Sequence, residues 1–110
     1  VAVGGSFLEQ IRETLAAAPD LRTRRMFGGV GVFSGDRMFA LAISDTLYLK
    51  SDAETAADFD ALGLEPFRYG TKHGDLREIS YRRAPDEIWE DPEVAEAWTR
   101  RALGAALRKA

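Results

Sequence analysis

Hydrophobic and polar positions follow two rhythms along this chain, and each change of rhythm marks the border of an element. Phe7, Leu8, Ile11 and Leu15 recur at helical spacing with Glu9, Arg12 and Glu13 between them, which predicts a helix with one apolar side. Ser6 and Glu9 have the spacing of a capping box that would begin this helix, and Pro19-Asp20 would stop it. From Thr23 to Lys50 the rhythm is that of strands. Ser34-Gly35-Asp36 and Ser44-Asp45 are turn residues, leaving strands near 30–33, 37–43 and 46–50 in an antiparallel meander. Gly28-Gly29 reads as a bend or bulge, because glycine tolerates positive φ and adds no side chain where backbones crowd. Simple alternation sets Phe39, Leu41 and Ile43 on one face and Met38, Ala40 and Ala42 on the other. A strand apolar on both sides is central, or has its second face covered by another element or a second subunit.

The helical rhythm returns after Lys50. Ser51 or Asp52 can cap it, with Ser51 and Glu54 spaced as a second box; Ala56, Phe59 and Leu62 form its apolar contact, and Gly63 ends it. Pro66 to Tyr69 and Leu76 to Tyr81 then form a strand pair around the polar stretch from Gly70 to Asp75, with Phe67, Tyr69, Ile79 and Tyr81 placed to stack across it. A last helix follows, with Asp91 at its cap, Pro92 in its first position and acidic Glu93 near its positive end. Val94, Trp98, Ala102 and Ala105 make its inward stripe. Leu103 and Leu107 lie about 140° and 180° around the helix from Trp98, forming a second apolar edge for another part of the domain or for a second subunit in a homodimer. The element order is thus α-β-β-β-α-β-β-α, an α+β arrangement.

At 110 residues the chain has room for one core. Its 45% hydrophobic and 30% charged content suits a soluble globule and contains no apolar run long enough to span a membrane. The absence of cysteine excludes disulfides, thiolate nucleophiles and thiolate metal sites, and accords with the cytoplasm. Residues 1–5 lack the basic and apolar regions of a secretory signal and read as a flexible tail. A formal charge of −3 provides no general attraction to nucleic acid or anionic lipid, leaving only local basic groups such as Arg22, Arg24 and Arg25.

None of the residues with chemical potential completes a reaction centre. His73, the single histidine, falls in a turn without a second histidine or cysteine to complete a metal pattern. Gly28, Gly29 and Gly31 lack both the dinucleotide-binding spacing and the lysine-serine ending of a phosphate loop, so backbone geometry explains them better. Ser80 has no glycine elbow and no local base. Glu87, Glu90, Asp91 and Glu93 are acids expected at a helix start, where capping and the helix dipole favour them. No catalytic, cofactor or metal residue is therefore assigned. Arg22, Arg24 and Arg25 can recognise an acidic partner or guard a sheet edge against aggregation, with Arg24 and Arg25 on opposite faces if the stretch is extended.

Several stretches carry a family resemblance in combination. They are Arg24-Arg25-Met26-Phe27-Gly28-Gly29-Val30-Gly31-Val32-Phe33, Met38-Phe39-Ala40-Leu41, Leu47-Tyr48-Leu49-Lys50, Pro66-Phe67-Arg68-Tyr69, Ile79-Ser80-Tyr81 and Trp98-Thr99-Arg100-Arg101-Ala102-Leu103. Together they resemble the N-terminal domain of the TfoX/Sxy competence-regulator family, from about Leu8 to Leu107. The resemblance implies a two-layer domain related to type III secretion chaperones, with helices on one face of an antiparallel sheet. It also implies a bacterial cytoplasmic origin and, for full-length relatives, a part in transcriptional regulation of DNA uptake. Those regulators commonly carry a second, C-terminal helical domain that has no counterpart in these residues, and the family offers no catalytic residue to carry over. The expected function is a non-enzymatic protein-interaction domain. Met26, Phe27, Trp89, Leu103 and Leu107 would be its apolar anchors, and Arg24, Arg25 and Arg101 its acid-binding rim. Direct DNA binding is the competing reading, and a small ligand-binding protein or hydrolase the third.

Overall fold

The strand-forming stretches fold as β1 (Leu21–Met26), β2 (Gly29–Ser34), β3 (Arg37–Ile43), β4 (Thr46–Lys50), β5 (Pro66–Gly70) and β6 (Leu76–Arg83). They join in one antiparallel sheet of order β1-β2-β3-β4-β6-β5. The computed structural model describes residues 3–26, 28–70, 72–74 and 76–109, and of Leu76 and Arg77 only the backbone. Helices α1 (Gly5–Thr14), α2 (Ala56–Ala61) and α3 (Pro92–Arg108) lie over one face, with a 3₁₀ turn at Asp86–Trp89 leading into α3. The expected alternation of helices and antiparallel strands is present, and its first strand group has one member more than the alternation marked. Leu21–Met26 is that member. It forms the sheet edge and exposes Arg22, Arg24 and Arg25, so it needs little of the apolar patterning that reveals a strand.

Ser6 does not cap α1. The N-cap is Gly4, without a side-chain hydrogen bond, and Ser6 lies inside the first turn. Val3 is buried and Leu8 half-buried; they hold the two positions of a hydrophobic staple, which sets the helix start ahead of the serine. Residues 1–5 were expected as a tail, but Val3 is part of the core and Gly5 opens α1. Ser51 likewise does not cap α2. Its amide extends the sheet by donating to Ser80 O at 2.9 Å, and Asp52 Oδ1 instead accepts from the amides of Glu54 and Thr55, each at 3.1 Å. Gly63, at φ +65°, ends α2, and Leu64 N returns to Phe59 O at 3.0 Å. Of the expected apolar trio, Phe59 is buried and Ala56 half-buried, whereas Leu62 is 54% exposed. Asp91 caps α3 as its sequence indicates, accepting from Glu93 N at 2.9 Å and Val94 N at 3.4 Å.

A bulge changes which side chains share a face. Val32 pairs with Ala40 but Phe33 with Met38, so β3 carries one extra residue, Phe39, against β2. Phe39 therefore joins Ala40 and Ala42 in the core under the helices, while Met38 moves to the far side with Leu41 and Ile43. Strict alternation had divided these six differently. Gly28-Gly29, read as a bend or bulge, is the bend: Gly28, at φ +75°, lies in the turn before β2, and Gly29 pairs with Met26.

The core fills the space between sheet and helices. Val30, Val32, Phe39, Leu47 and Leu49 meet Ile11, Leu15, Phe59, Ile88, Trp98 and Ala102. The Phe59 and Trp98 rings meet edge to face, 4.9 Å apart. Thr99 is fully buried and satisfies its hydroxyl by donating to Ala95 O at 2.7 Å.

Candidate interaction surface

No helix covers the second face of the sheet among the described residues, and strand register determines what it displays. Arg24 stands opposite Gly31, Gly31 opposite Leu41, Leu41 opposite Tyr48 and Tyr48 opposite Arg83, all on this face. Met38, Leu41, Ile43, Phe67, Tyr69 and Ile79 line a groove there of about 400 Å³. Tyr69 is 46% exposed, and all but Leu41 of the others are half-buried. Phe67 stacks on Tyr69 of its own strand at 6.3 Å and meets Tyr48 of β4 edge-on at 5.0 Å. Of the four side chains expected to stack across β5 and β6, Phe67, Tyr69 and Ile79 share the groove, whereas Tyr81 turns to Lys50 and Met38 O. At the near end of the face Gly31 is buried beneath the Met26, Met38 and Phe33 side chains. A Cβ there would stand 2.6 Å from Met26 Sδ and 2.9 Å from Met38 Sδ.

The strand positions of this face carry charge of one sign. They include Arg22, Arg24, Lys50 and Arg83 and no acidic residue among the described strands. Arg22 pairs with Asp20 at 3.1 Å, and Arg83 with Glu65 at 3.6 Å and Asp86 at 3.4 Å. Arg24 lies 5.1 Å over the Phe33 ring.

Lys50 differs from these surface cations. It is 7% exposed, donates Nζ to Ser80 Oγ at 2.5 Å and lies 5.0 Å over the Tyr81 ring. Burial, reinforced by the charge of Lys109, holds its pKa below the usual lysine value. It faces a cavity of about 610 Å³ whose lining also includes Arg37, Lys109, Asp36, Met38 and Ile79. Tyr81 closes one wall and donates its hydroxyl to Met38 O at 3.3 Å.

The structure disperses the anchors read from sequence. Arg24 and Met26 belong to the uncovered face, Arg25 projects from the opposite side of β1, and Phe27 lies outside the described residues. Trp89 is half-buried, 5.5 Å from the Phe7 ring, and covers the junction of α1 with the 3₁₀ turn. Arg101 lies 4.6 Å over Trp98 and pairs with Asp58 at 3.3 Å, linking α3 to α2. Leu103 packs against the core, while Leu107 is 64% exposed near the end of α3. The groove residues were missed as a site. Their signal was the two-sided apolar character of β3 together with the aromatic pair on β5, whereas nothing local distinguishes Lys50 from any strand-ending lysine.

The other sequence candidates have structural duties or stand apart. Gly29 has no room for a Cβ because the Ala42 carbonyl oxygen occupies the space. Ser80 receives the Lys50 ammonium, Asp91 caps α3, and His73 is exposed in the loop between β5 and β6. Among the described residues, no three His, Asp or Glu side chains converge as metal ligands, and no helix is long and apolar enough to cross a membrane.

Residues 13–106 match the TfoX N-terminal domain. Over 49 residues, 44% of this chain, the sequence is 45% identical to the DNA transformation protein TfoX1 of Aliivibrio fischeri (strain ATCC 700601 / ES114). The aligned stretch is 23% of that relative's length, so this chain corresponds to only a part of it.

Proposed function

Since this chain belongs to the TfoX N-terminal domain family, we propose that it is a non-enzymatic, cytoplasmic protein-interaction domain serving competence regulation, and that it docks its partner on the uncovered sheet face. The observation that carries this reading is the groove formed by Met38, Leu41, Ile43, Phe67, Tyr69 and Ile79, an apolar surface on a face without helices among the described residues. Grouped apolar side chains on a rigid sheet provide affinity by leaving water together, and the surrounding cations restrict orientation. Capture from extract of a naturally competent bacterium tests it. A partner retained by the wild type and by Leu62→Glu on the helical side, but lost with Ile43→Glu, is the expected result; equal retention by both variants defeats the assignment.

Direct DNA binding is a second reading, favoured by the exposed Arg22, Arg24 and Arg25 on the edge strand and by the similarity to a DNA transformation protein of Aliivibrio fischeri. Titration with duplex DNA at several salt concentrations separates the two. Saturable binding that weakens steeply with salt supports the DNA reading, and no binding at low salt removes it.

A further inference from the structure

Two cavities share walls: Met38 and Ile79 line both the apolar groove on the uncovered face and the cavity at Lys50, which lies where the end of the sheet meets Ala106 and Lys109 at the end of α3. The surface therefore runs from aliphatic and aromatic side chains to the part-buried ammonium of Lys50. We infer that groove and cavity together bind an acidic, apolar-anchored peptide segment of a partner protein, with apolar side chains against Met38 and Ile79 and a carboxylate on Lys50. This rests on the docking reading above and deepens it by giving the partner's chemistry.

Lys50 is the main reason. An ammonium has three donors, and Ser80 Oγ takes one while the Tyr81 ring faces the charge. No carboxylate forms an ion pair with Lys50 among the described residues. A buried charge without a counter-ion is costly, and the usual relief is for a long lysine stem to carry its head out to water. Lys50 instead keeps its stem enclosed, with the residue 7% exposed, and holds its head in a part-buried hydrogen bond to Ser80. Asp52, whose charge reaches Lys50, is engaged by Arg108 at 2.6 Å. Around the same cavity Arg37 and Lys109 add two cations against the single carboxylate of Asp36. Arg37 already donates to Ala106 O at 3.4 Å, so it frames the cavity from the helix side. An incoming carboxylate would supply the missing counter-charge in surroundings where a charge-assisted hydrogen bond is stronger than at the surface.

Charge also selects among occupants. A two-fold dimer through this face would set the same patch against itself, and its described strand positions bear Arg24 and Lys50 without a carboxylate partner beside the paired Arg22 and Arg83. Single-stranded nucleic acid would need open ring faces. Here Phe67 is stacked against Tyr69 and abutted by Tyr48, and the groove floor is aliphatic at Met38, Leu41, Ile43 and Ile79.

Selection of peptides from a displayed random library on the full 110-residue chain tests the inference. The expected peptides pair apolar residues with a nearby Asp or Glu. A synthetic peptide from this set should lose at least tenfold in affinity when its acid is changed to the amide, and the same change should cost nothing against Lys50→Met. Peptides without a shared acid, no enriched peptide, or undiminished affinity of the amide form for wild type overturns it, and this last arm stands even if Lys50→Met does not fold. Loss of binding with Ile43→Glu but not with Lys50→Met keeps the docking face and rejects the carboxylate site; indifference to both rejects the two together. A dimer in sedimentation that Ile43→Glu dissolves, or single-stranded DNA binding that Lys50→Met abolishes, would reassign the face to those occupants.

Discussion

Arg108 grips Asp52 with two nitrogens, Nε at 2.6 Å from one carboxylate oxygen and Nη2 at 3.1 Å from the other, tying the end of α3 to the turn before α2. The same carboxylate accepts the amides of Glu54 and Thr55, so one side chain both caps a turn and closes a long-range contact.

The acid response of the fold follows from that pair. The hydrogen bond from Arg108 is the chief reason that Asp52 has a lowered pKa, with the Thr55 amide assisting. A carboxyl whose folded pKa is depressed stabilises the fold above its unfolded pKa of about 3.9 and loses that contribution as pH falls through the folded value. Asp52→Ala should cost about 1 kcal/mol at neutral pH, as for other lost caps. The gap in melting temperature between wild type and Asp52→Asn should close as circular-dichroism melts are taken below about pH 4.

Tyr81 governs the alkaline side. Burial pushes its phenol up to about 12, above the unfolded value of about 10. The stabilisation is complete below the unfolded pKa and is lost as pH rises through the folded one. Relative to Tyr81→Phe, the wild type should lose about 1 kcal/mol between roughly pH 8 and pH 10.5. Urea midpoints at the two pH values measure the difference.

Glycines on neighbouring positions of one strand should respond differently to alanine. At Gly29 the obstacle is the Ala42 backbone carbonyl, which is held in the sheet, so Gly29→Ala should cost about 1–3 kcal/mol or more. At Gly31 the nearest atoms are the sulfurs of Met26 and Met38 and Cε1 of Phe33 at 3.0 Å, which are side-chain ends that can turn aside. Gly31→Ala should cost less in urea denaturation while shifting the Met26 and Met38 methyl resonances.

Phe59 and Leu62 share an apolar spacing but not an environment. Phe59 is fully buried against Trp98, with the Arg82 guanidinium 5.5 Å from its ring, and Phe59→Ala should cost about 3–5 kcal/mol. Leu62→Ala, at a 54% exposed site, should fall within about 0.5 kcal/mol of wild type. Chemical denaturation of the two variants checks the contrast.

These contrasts show where the sequence was legible. Turn residues at Gly35 and Ser44 bounded β3 and β4, and the Asp91-Pro92 start marked α3, because each acts through backbone geometry within a few residues. Ser6 and Ser51 were misread as caps for the converse reason: a correct local motif yielded to the burial of Val3 in one case and to pairing with Ser80 in the other. The edge strand escaped because half of Leu21–Met26 is arginine, and the bulge because period-two alternation has no place for the extra Phe39.

By itself the sequence determined strands β2 to β6, the end of α2, the start of α3 and the family, all properties of short windows or of residue identity in order. Only the tertiary structure decided that β4 pairs with β6, bringing Tyr48 opposite Arg83 and Lys50 opposite Tyr81, and that the apolar face of β3 continues into the cavity at Lys50. Neighbour relations between distant strands arise when the whole sheet and its helices bury one core together, and no local spacing records which lysine is enclosed when they do.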